Sequence, residues 1–357
     1  MGADPASLSV DRPGFAGYKG GATTAPEEAK GMKGEPFFAT RGVVLVPSDL
    51  ALRDWPERAK GAGLTTLALH STSHPQGSAA VVAEFTRSET GQAFLARCGT
   101  LGLEVEYELH AMKELLPRSL FEKYPELFRT DESGARNPDA NLCVRSRQAL
   151  DIAAENALAI ASVLRPTTGR HFYWGDDGQP WCRCPRCRGL SDSDQALLLT
   201  NRLAAALRRE NPAAQVAHLA YANTLPPPRQ VRPEPGVFLE FAPIHRRHDV
   251  PYASQTGPAA PDPLDQLDAN LAVFGCEGAQ VLEYWLDASR FSGWKRPAVR
   301  IPWNAQVFAA DLEAYGSRGI RHITTFAAWV DAEYVARHGD PPLREYGAGL
   351  LRTPENS

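Results

Sequence analysis

The sequence predicts a single (β/α)8 barrel of the TIM class, an α/β fold, on three observations. Eight short apolar runs alternate with helix-like segments from residue 42 onward, and glycines close several of the helical units. The chain of 357 residues also holds the roughly 250 that this fold usually needs. The rival, a doubly wound open sheet, normally carries a glycine-rich nucleotide loop after its first strand, and Val46-Pro-Ser-Asp-Leu50 has none.

The strand candidates are residues 43–47, 65–70, 104–110, 171–174, 216–221, 237–241, 281–285 and 322–326. Each is short, rich in Val, Ile, Leu or aromatics, and bounded by Gly, Pro or Asn. Between them, residues 147–164 place Leu150, Ala153, Ala157, Ile160, Ala161 and Leu164 on one helical stripe. Residues 193–209 repeat the pattern with Leu197, Leu198, Leu203 and Leu207, after a Ser191-Asp-Ser-Asp194 cluster suited to capping. Residues 264–274 and 304–316 read as two more helices, and Gly61, Gly63, Gly102, Gly275 and Gly319 mark places where helix returns to strand. Elaborated loops are expected after strands three, four and six, with 115–141 the longest and 226–235 and 245–263 rich in proline. The barrel is expected over 41–352, with 1–40, polar and rich in Gly, Pro and Ala, as a flexible arm and 353–357 as a tail.

A net charge of −4 with scattered Lys and Arg gives no electrostatic case for nucleic acid. No apolar run reaches the length of a membrane helix. The first 40 residues lack a basic and apolar leader, and six cysteines do not form a disulfide framework in a chain this long. A reducing, cytoplasmic setting is the expectation, or export if a leader was trimmed.

In such barrels the chemistry sits at the carboxyl ends of the strands. The most informative stretch is His171-Phe-Tyr-Trp-Gly-Asp-Asp-Gly178, a strand ending in two adjacent carboxylates, Asp176 and Asp177. Other strand ends bring His70, His110, Tyr221 with Asn223, Glu240 leading to His245, Glu283 with Trp285 and Asp287, and Trp329 with Asp331. Carboxylates around an aromatic-lined mouth are the equipment of glycoside hydrolysis, in which one carboxyl protonates the leaving oxygen and a second acts as base, nucleophile or charge stabiliser. Asp176, Asp177 and Glu283 are the catalytic candidates. His70, His110, Trp174, Tyr221, Asn223, Glu240, His245, Trp285, Asp287 and Trp329 are candidates for holding a carbohydrate, with Trp285 and Trp329 as stacking platforms. Taken singly, Glu240, Asp287 and Asp331 read more readily as helix caps or salt-bridge partners than as site residues. His218 and His322 read as structural, and Trp55 and Trp303 as packing residues at helix starts.

Cys182-x-Cys184-x-x-Cys187 has zinc-knuckle spacing but supplies three ligands, and Cys143 is the natural fourth. The expectation is a structural zinc, with free thiols or one disulfide as the alternative. Four thiolates would leave no open position, which places a metal-dependent hydrolase third. Cys98 and Cys276 read as ordinary buried thiols.

Tyr107-Glu-Leu-His110, the run from Leu116-Pro to Leu127-Phe128, Asn141-Leu-Cys143, Asp177-Gly178 with the cysteine run, Leu219-Ala-Tyr221, Ala242-Pro-Ile244 and Leu282-Glu-Tyr284 resemble successive blocks of domain-of-unknown-function family 4838. The resemblance implies a TIM barrel of glycoside-hydrolase type. More faintly, Trp174-Gly-Asp-Asp177 is similar to the Gly-Gly-Asp-Glu motif of family 20 β-N-acetylhexosaminidases, departing from it by a Trp for the first Gly and an Asp for the Glu. That likeness implies an orienting role for Asp176 and an acid role for Asp177. A likeness to α-glucuronidases implies that Glu240 or Glu283 activates water. These resemblances favour an amino sugar or uronic acid as substrate. The alternative to hydrolysis is a barrel that binds carbohydrate without cleaving it.

Overall fold

The computed structural model describes residues 35–71, 77–255 and 263–352. The tail 353–357 and the arm up to residue 34 lie outside these. Among the described residues ten strands form, β1 (Thr40–Leu45), β2 (Thr66–Leu69), β3 (Glu104–His110), β4 (Phe128–Thr130), β5 (Arg136–Leu142), β6 (Arg170–Trp174), β7 (Gln215–Tyr221), β8 (Val237–Ala242), β9 (Gln280–Glu283) and β10 (His322–Phe326). Eight of them close a barrel in the order β1, β2, β3, β6, β7, β8, β9, β10, with parallel pairing throughout and β10 returning to β1 at Thr40 opposite His322. This is the expected (β/α)8 fold. Phe38 is buried against the core and β1 starts at Thr40, so packing begins just before the expected boundary at residue 41.

The helices are α1 (Trp55–Gly61), α2 (Ser78–Arg87), α3 (Glu89–Leu101), α4 (Met112–Leu115), α5 (Arg147–Val163), α6 (Asp192–Glu210), α7 (Pro263–Phe274), α8 (Ala288–Phe291), α9 (Ala305–Gly316), α10 (Ala332–His338) and α11 (Leu343–Leu350). The Ser191 cluster is the N-terminus of α6, where Ser191 and Asp194 form a reciprocal capping box. Asp194 goes further, since its Oδ1 accepts the backbone N–H groups of Arg229, Gln230 and Val231 at 2.8–2.9 Å and fixes the proline-rich loop. The long loop after β3 holds structure of its own, the antiparallel hairpin β4–β5.

Barrel strands bury both faces, and alternate residues feed two separate cores. Val43, Leu67, Leu109, Leu239, Phe241 and Val281 join the layer between barrel and helices. Val44, Ala68, Phe172, Trp174, Phe238, Ala242 and Leu282 fill the barrel itself. The interior is not wholly apolar. Glu106, Glu108, Arg170, Glu240 and Gln280 are sealed there, each at most 5% exposed. The amide nitrogen of Gln280 reaches Glu240 at 3.2 Å, Glu108 at 3.4 Å and Thr324 at 3.2 Å. Arg170 lies 4.0 Å over the Phe238 ring and donates to the Gly278 carbonyl. One guanidinium cannot neutralise three carboxylates at close range, and burial drives carboxyls to their protonated form. Burial pushes the Glu240 carboxyl up to about 8, and burial reinforced by the Glu240 and Glu106 charges pushes Glu108 well up.

Two expectations follow from this packing. A Cβ at Gly347 in α11 would stand 1.8 Å from the Ala62 carbonyl oxygen, whereas one at Gly99 in α3 meets nothing within 4 Å. Gly347→Ala should therefore cost about 1–3 kcal/mol in urea unfolding. Gly99→Ala should add up to about 1 kcal/mol through helix propensity, and equal effects would contradict the packing. For Glu240, the folded carboxyl holds its proton to about 8, while an unfolded glutamate ionises near about 4.3. Its stabilising contribution is thus complete at acid pH and lost progressively as pH rises between those values. Glu240→Gln mimics the protonated form, so its stability relative to wild type should improve by a few kcal/mol between about pH 5 and about pH 9. A pH-independent difference in unfolding free energy would show that Glu240 is ionised in the fold.

Candidate active site

At the carboxyl ends of the strands the barrel opens into a cavity of about 140 Å³. Trp174, Leu219, Ala242 and Leu282 come from the inward faces of β6, β7, β8 and β9 and form its floor. The floor is pinned from below, because the indole N–H of Trp174 donates to Glu240 Oε2 at 2.8 Å. His70 and His110 form one wall. Each turns Nδ1 to a backbone carbonyl at 2.7 Å, His70 to Glu108 and His110 to Gly175, so Nδ1 carries a proton in both rings. Both rings lie against Trp174, with centroids 5.9 and 5.0 Å away. Tyr284, stacked on Phe326 at 5.5 Å, and Tyr221 complete the walls.

Two carboxylates reach the rim, Asp177 after β6 and Asp287 after β9. Asp177 is exposed and accepts the Tyr221 hydroxyl at 2.8 Å. Asp287 is buried and caps α8, accepting the Arg290 N–H at 3.1 Å and the Ser289 hydroxyl at 2.6 Å. Burial raises its pKa against these hydrogen bonds. The Tyr284 hydroxyl is pushed up by burial first, and then by Tyr221, Asp287, Glu283 and Asp177 around it. The rim also carries Trp294, an exposed ring on a residue at φ 56°.

The loop bearing Asp177 is tied down on its other side. Asp176 pairs with Arg118, and its backbone N–H donates to Asn141 Oδ1 at 2.9 Å. Burial raises the Asp176 pKa, opposed by Arg118. Asn141 also donates to the carbonyls of Gln179 and Pro180 at 3.0 and 3.3 Å. Gly175 is required here, since a Cβ would meet Asn141 Oδ1 at 2.8 Å. Just beyond lie four cysteines, Cys143, Cys182, Cys184 and Cys187, all buried, with their sulfurs within 4.8 Å of one another.

The structure thus brings His70, His110, Trp174, Asp177, Tyr221 and Asp287 to one mouth. It does not bring Glu283, Trp285, His245 or Trp329 to it. Glu283 and Trp285 lie on the helix-facing side of their segment, the opposite side from Leu282 and Tyr284. Glu283 is fully buried, 2.6 Å from Arg246 and 2.5 Å from the Tyr315 hydroxyl. Arg246 also pairs with Asp311, which accepts the Trp285 indole N–H at 3.1 Å. These groups lock β9 to α9 and to the loop after β8, which corrects the assignment of Glu283 as a catalytic carboxylate and of Trp285 as a platform. His245 is exposed on that same loop. Trp329 sits at φ 63°, its N–H held by buried Asp49 at 2.7 Å and its ring under Arg296 at 4.6 Å. Glu240 lies beneath the floor, and Asn223 braces the loop after β6 by donating to Gln179 and Asp192. Asp176 faces a small chamber behind Trp174. The caps expected at Asp287 and Asp331 are present. Cys98 is buried as expected, but Cys276, in the turn after α7, is exposed.

Sequence reasoning missed Tyr284, Trp294, Arg118, Asn141 and the interior group of Glu106, Glu108, Arg170 and Gln280. Tyr284 could have been found by counting inward positions from Gln280. Trp294 stands outside any periodic element and gave no signal.

No curated protein matches the chain. Among solved structures, the Prevotella bryantii endo-beta-mannanase/endo-beta-glucanase aligns with TM-score 0.50 and 10% identity, over 90% of this chain and 49% of that one. A glycoside hydrolase family 5 enzyme from Prevotella bryantii B14 aligns with TM-score 0.46 and 11% identity, over 92% and 99%. A xylose isomerase domain protein from Planctomyces limnophilus gives TM-score 0.42 and 13% identity, over 90% and 99%. Likeness at these identities is one of fold. The comparisons give no support to the fainter resemblances to β-N-acetylhexosaminidases and α-glucuronidases. In sequence, the family described as "Domain of unknown function (DUF4838)" matches residues 76–264, more than half of the chain, and the protein belongs to that family.

Proposed function

We propose that the barrel mouth binds a carbohydrate and hydrolyses a glycosidic bond, with Asp287 as the general acid and Asp177 as the ionised partner. The observation that carries this reading is the pairing of two carboxylates with an aromatic-lined cavity. Asp177 and Asp287 follow the fourth and seventh strands of an eight-stranded ring, so they approach the cavity from well-separated sides. Sugars present apolar ring faces and hydroxyl edges, which suit Trp294 and Tyr284 on one hand and the two histidines on the other. Burial helps Asp287 keep its proton, as an acid must in order to give it to a leaving oxygen. Asp177, exposed and bound by Tyr221, is suited to carry negative charge opposite an oxocarbenium-like transition state. The endo-mannanase/endo-glucanase shares the fold, and the residues of the mouth carry the chemistry.

A second reading, carbohydrate binding without cleavage, is favoured by one observation. Each rim carboxylate already has a hydrogen-bonding duty, Asp177 with Tyr221 and Asp287 with the start of α8. A panel of polysaccharides, amino-sugar glycosides and uronic-acid glycosides separates the two, with reducing-end release and calorimetric binding measured together. Hydrolysis of one panel member is expected, and Asp177→Asn and Asp287→Asn should each lower kcat/KM by about 10²- to 10⁴-fold. The wild-type rate should fall as pH rises through the Asp287 pKa, because the acid is active only when protonated. Trp294→Ala should raise KM with little change in kcat. Binding without release would establish the second reading, and turnover unaffected by both Asn variants would remove the first.

A further inference from the structure

We propose that Cys143, Cys182, Cys184 and Cys187 hold a structural zinc ion that clips the hairpin β4–β5 to the loop carrying Asp177. The sulfurs come from two segments about 40 residues apart in sequence and converge in the interior, each cysteine at most 6% exposed. Cys143 Sγ lies 3.9 Å from Cys184 Sγ and 3.8 Å from Cys187 Sγ. Four sulfurs around one ion at a Zn–S distance of about 2.3 Å have tetrahedral edges of about 3.8 Å. The separations are far beyond the roughly 2.05 Å of a disulfide bond. An all-thiolate tetrahedral set selects zinc among common divalent ions and leaves no open position for catalysis.

The surroundings are those of a built metal site. The Thr130 N–H, on β4, points at Cys182 Sγ at 3.3 Å. Gln195 of α6 holds the main chain of Cys182 in both directions, accepting its N–H at 3.1 Å and donating to its carbonyl at 3.2 Å. The backbone turns tightly from Cys184 to Cys187, whose N–H returns to the Cys184 carbonyl at 2.9 Å. Outer partners of this kind orient ligand atoms.

Asn141 stands two residues before Cys143 and clamps Asp176, Gln179 and Pro180. Fixing Cys143 to the cysteine run therefore closes both ends of the 175–182 loop against one hairpin. The importance of this for catalysis rests on the proposed function, but the metal and the clip do not.

The test uses full-length protein purified without chelator. Elemental analysis should find about one zinc per chain, and cobalt exchange should give the thiolate charge-transfer and d–d bands of a tetrahedral four-sulfur site. Removing the metal with a chelator should raise amide hydrogen exchange in 128–142 and 175–190 while β1, β2 and β10 remain protected. Cys143→Ser should weaken zinc retention, and if it fails to fold, the wild-type metal content and cobalt spectrum still decide. Metal-free protein with all six thiols titratable, a disulfide detected by intact mass, or iron in place of zinc would each overturn the zinc assignment. Unchanged exchange at 175–182 after zinc removal would overturn the clip. None of these readouts depends on glycosidase activity.

Discussion

The barrel interior holds more carboxyl groups than its one guanidinium can neutralise, and the candidate site stands on that arrangement. Arg170 faces Glu106, Glu108 and Glu240 in a space closed to water, and oxygens of Glu106 and Glu108 have no hydrogen-bond partner among the described residues. Coulomb repulsion at low effective dielectric makes full ionisation untenable, so protons are part of the packed structure. The Gln280 amide nitrogen sits between Glu108 and Glu240 and donates to both, while its oxygen is buried with no hydrogen-bond partner among the described residues. The upper end of the group is Glu240, which fixes the Trp174 indole and with it the floor of the mouth. The protonation state of a group deep in the barrel is thereby linked to the shape of a cavity above it.

The closed sheet imposes a second constraint, because each strand residue faces either the interior or the helices. On β9 and its continuation this rule separates residues that are neighbours in sequence. Leu282 and Tyr284 face inward, whereas Glu283 and Trp285 enter the helix layer and join Arg246, Asp311 and Tyr315. Losing either carboxylate of that buried set would leave Arg246 undercompensated, a costly state in a sealed environment. Glu283 is therefore tied to the integrity of the outer layer. Asp287, four residues further along, is released from strand alternation by the turn and can reach the rim.

The eight strands were legible because a parallel barrel strand is a short apolar run with turn residues at both ends, and this signal survives even in residues 322–326. Facing was not legible. In Val281-Leu282-Glu283-Tyr284-Trp285 one side reads Val, Glu, Trp and the other Leu, Tyr, so the lone carboxylate marks its side as the polar, cavity-facing one when it is in fact buried against the helices. Glu104-Val-Glu106-Tyr-Glu108-Leu-His110 does alternate, but a polar face ordinarily marks the solvent side, and here it is the barrel interior. The convergence of Cys143 with the cysteine run was legible from ligand counting, since three thiols call for a fourth. The roles of Arg118 and Asn141 were not, because they depend on how a hairpin folds back inside a long loop.

The loop after β6 draws these threads together. A polar loop at the mouth of a barrel has few apolar contacts of its own, and an acid–base group on a mobile segment loses the positional precision that catalysis needs. Here the Asp177 loop is bounded on the barrel side by the His110–Gly175 hydrogen bond and the Tyr221 hydroxyl. On the outer side Arg118, Asn141 and the cysteine-bearing turn hold it. Asp176 belongs to the outer set and Asp177 to the inner, so the adjacent carboxylates divide the work of anchoring the loop and facing the cavity. That division gives each of the two adjacent aspartates a separate place in the structure. The first makes a fixed position for the second possible.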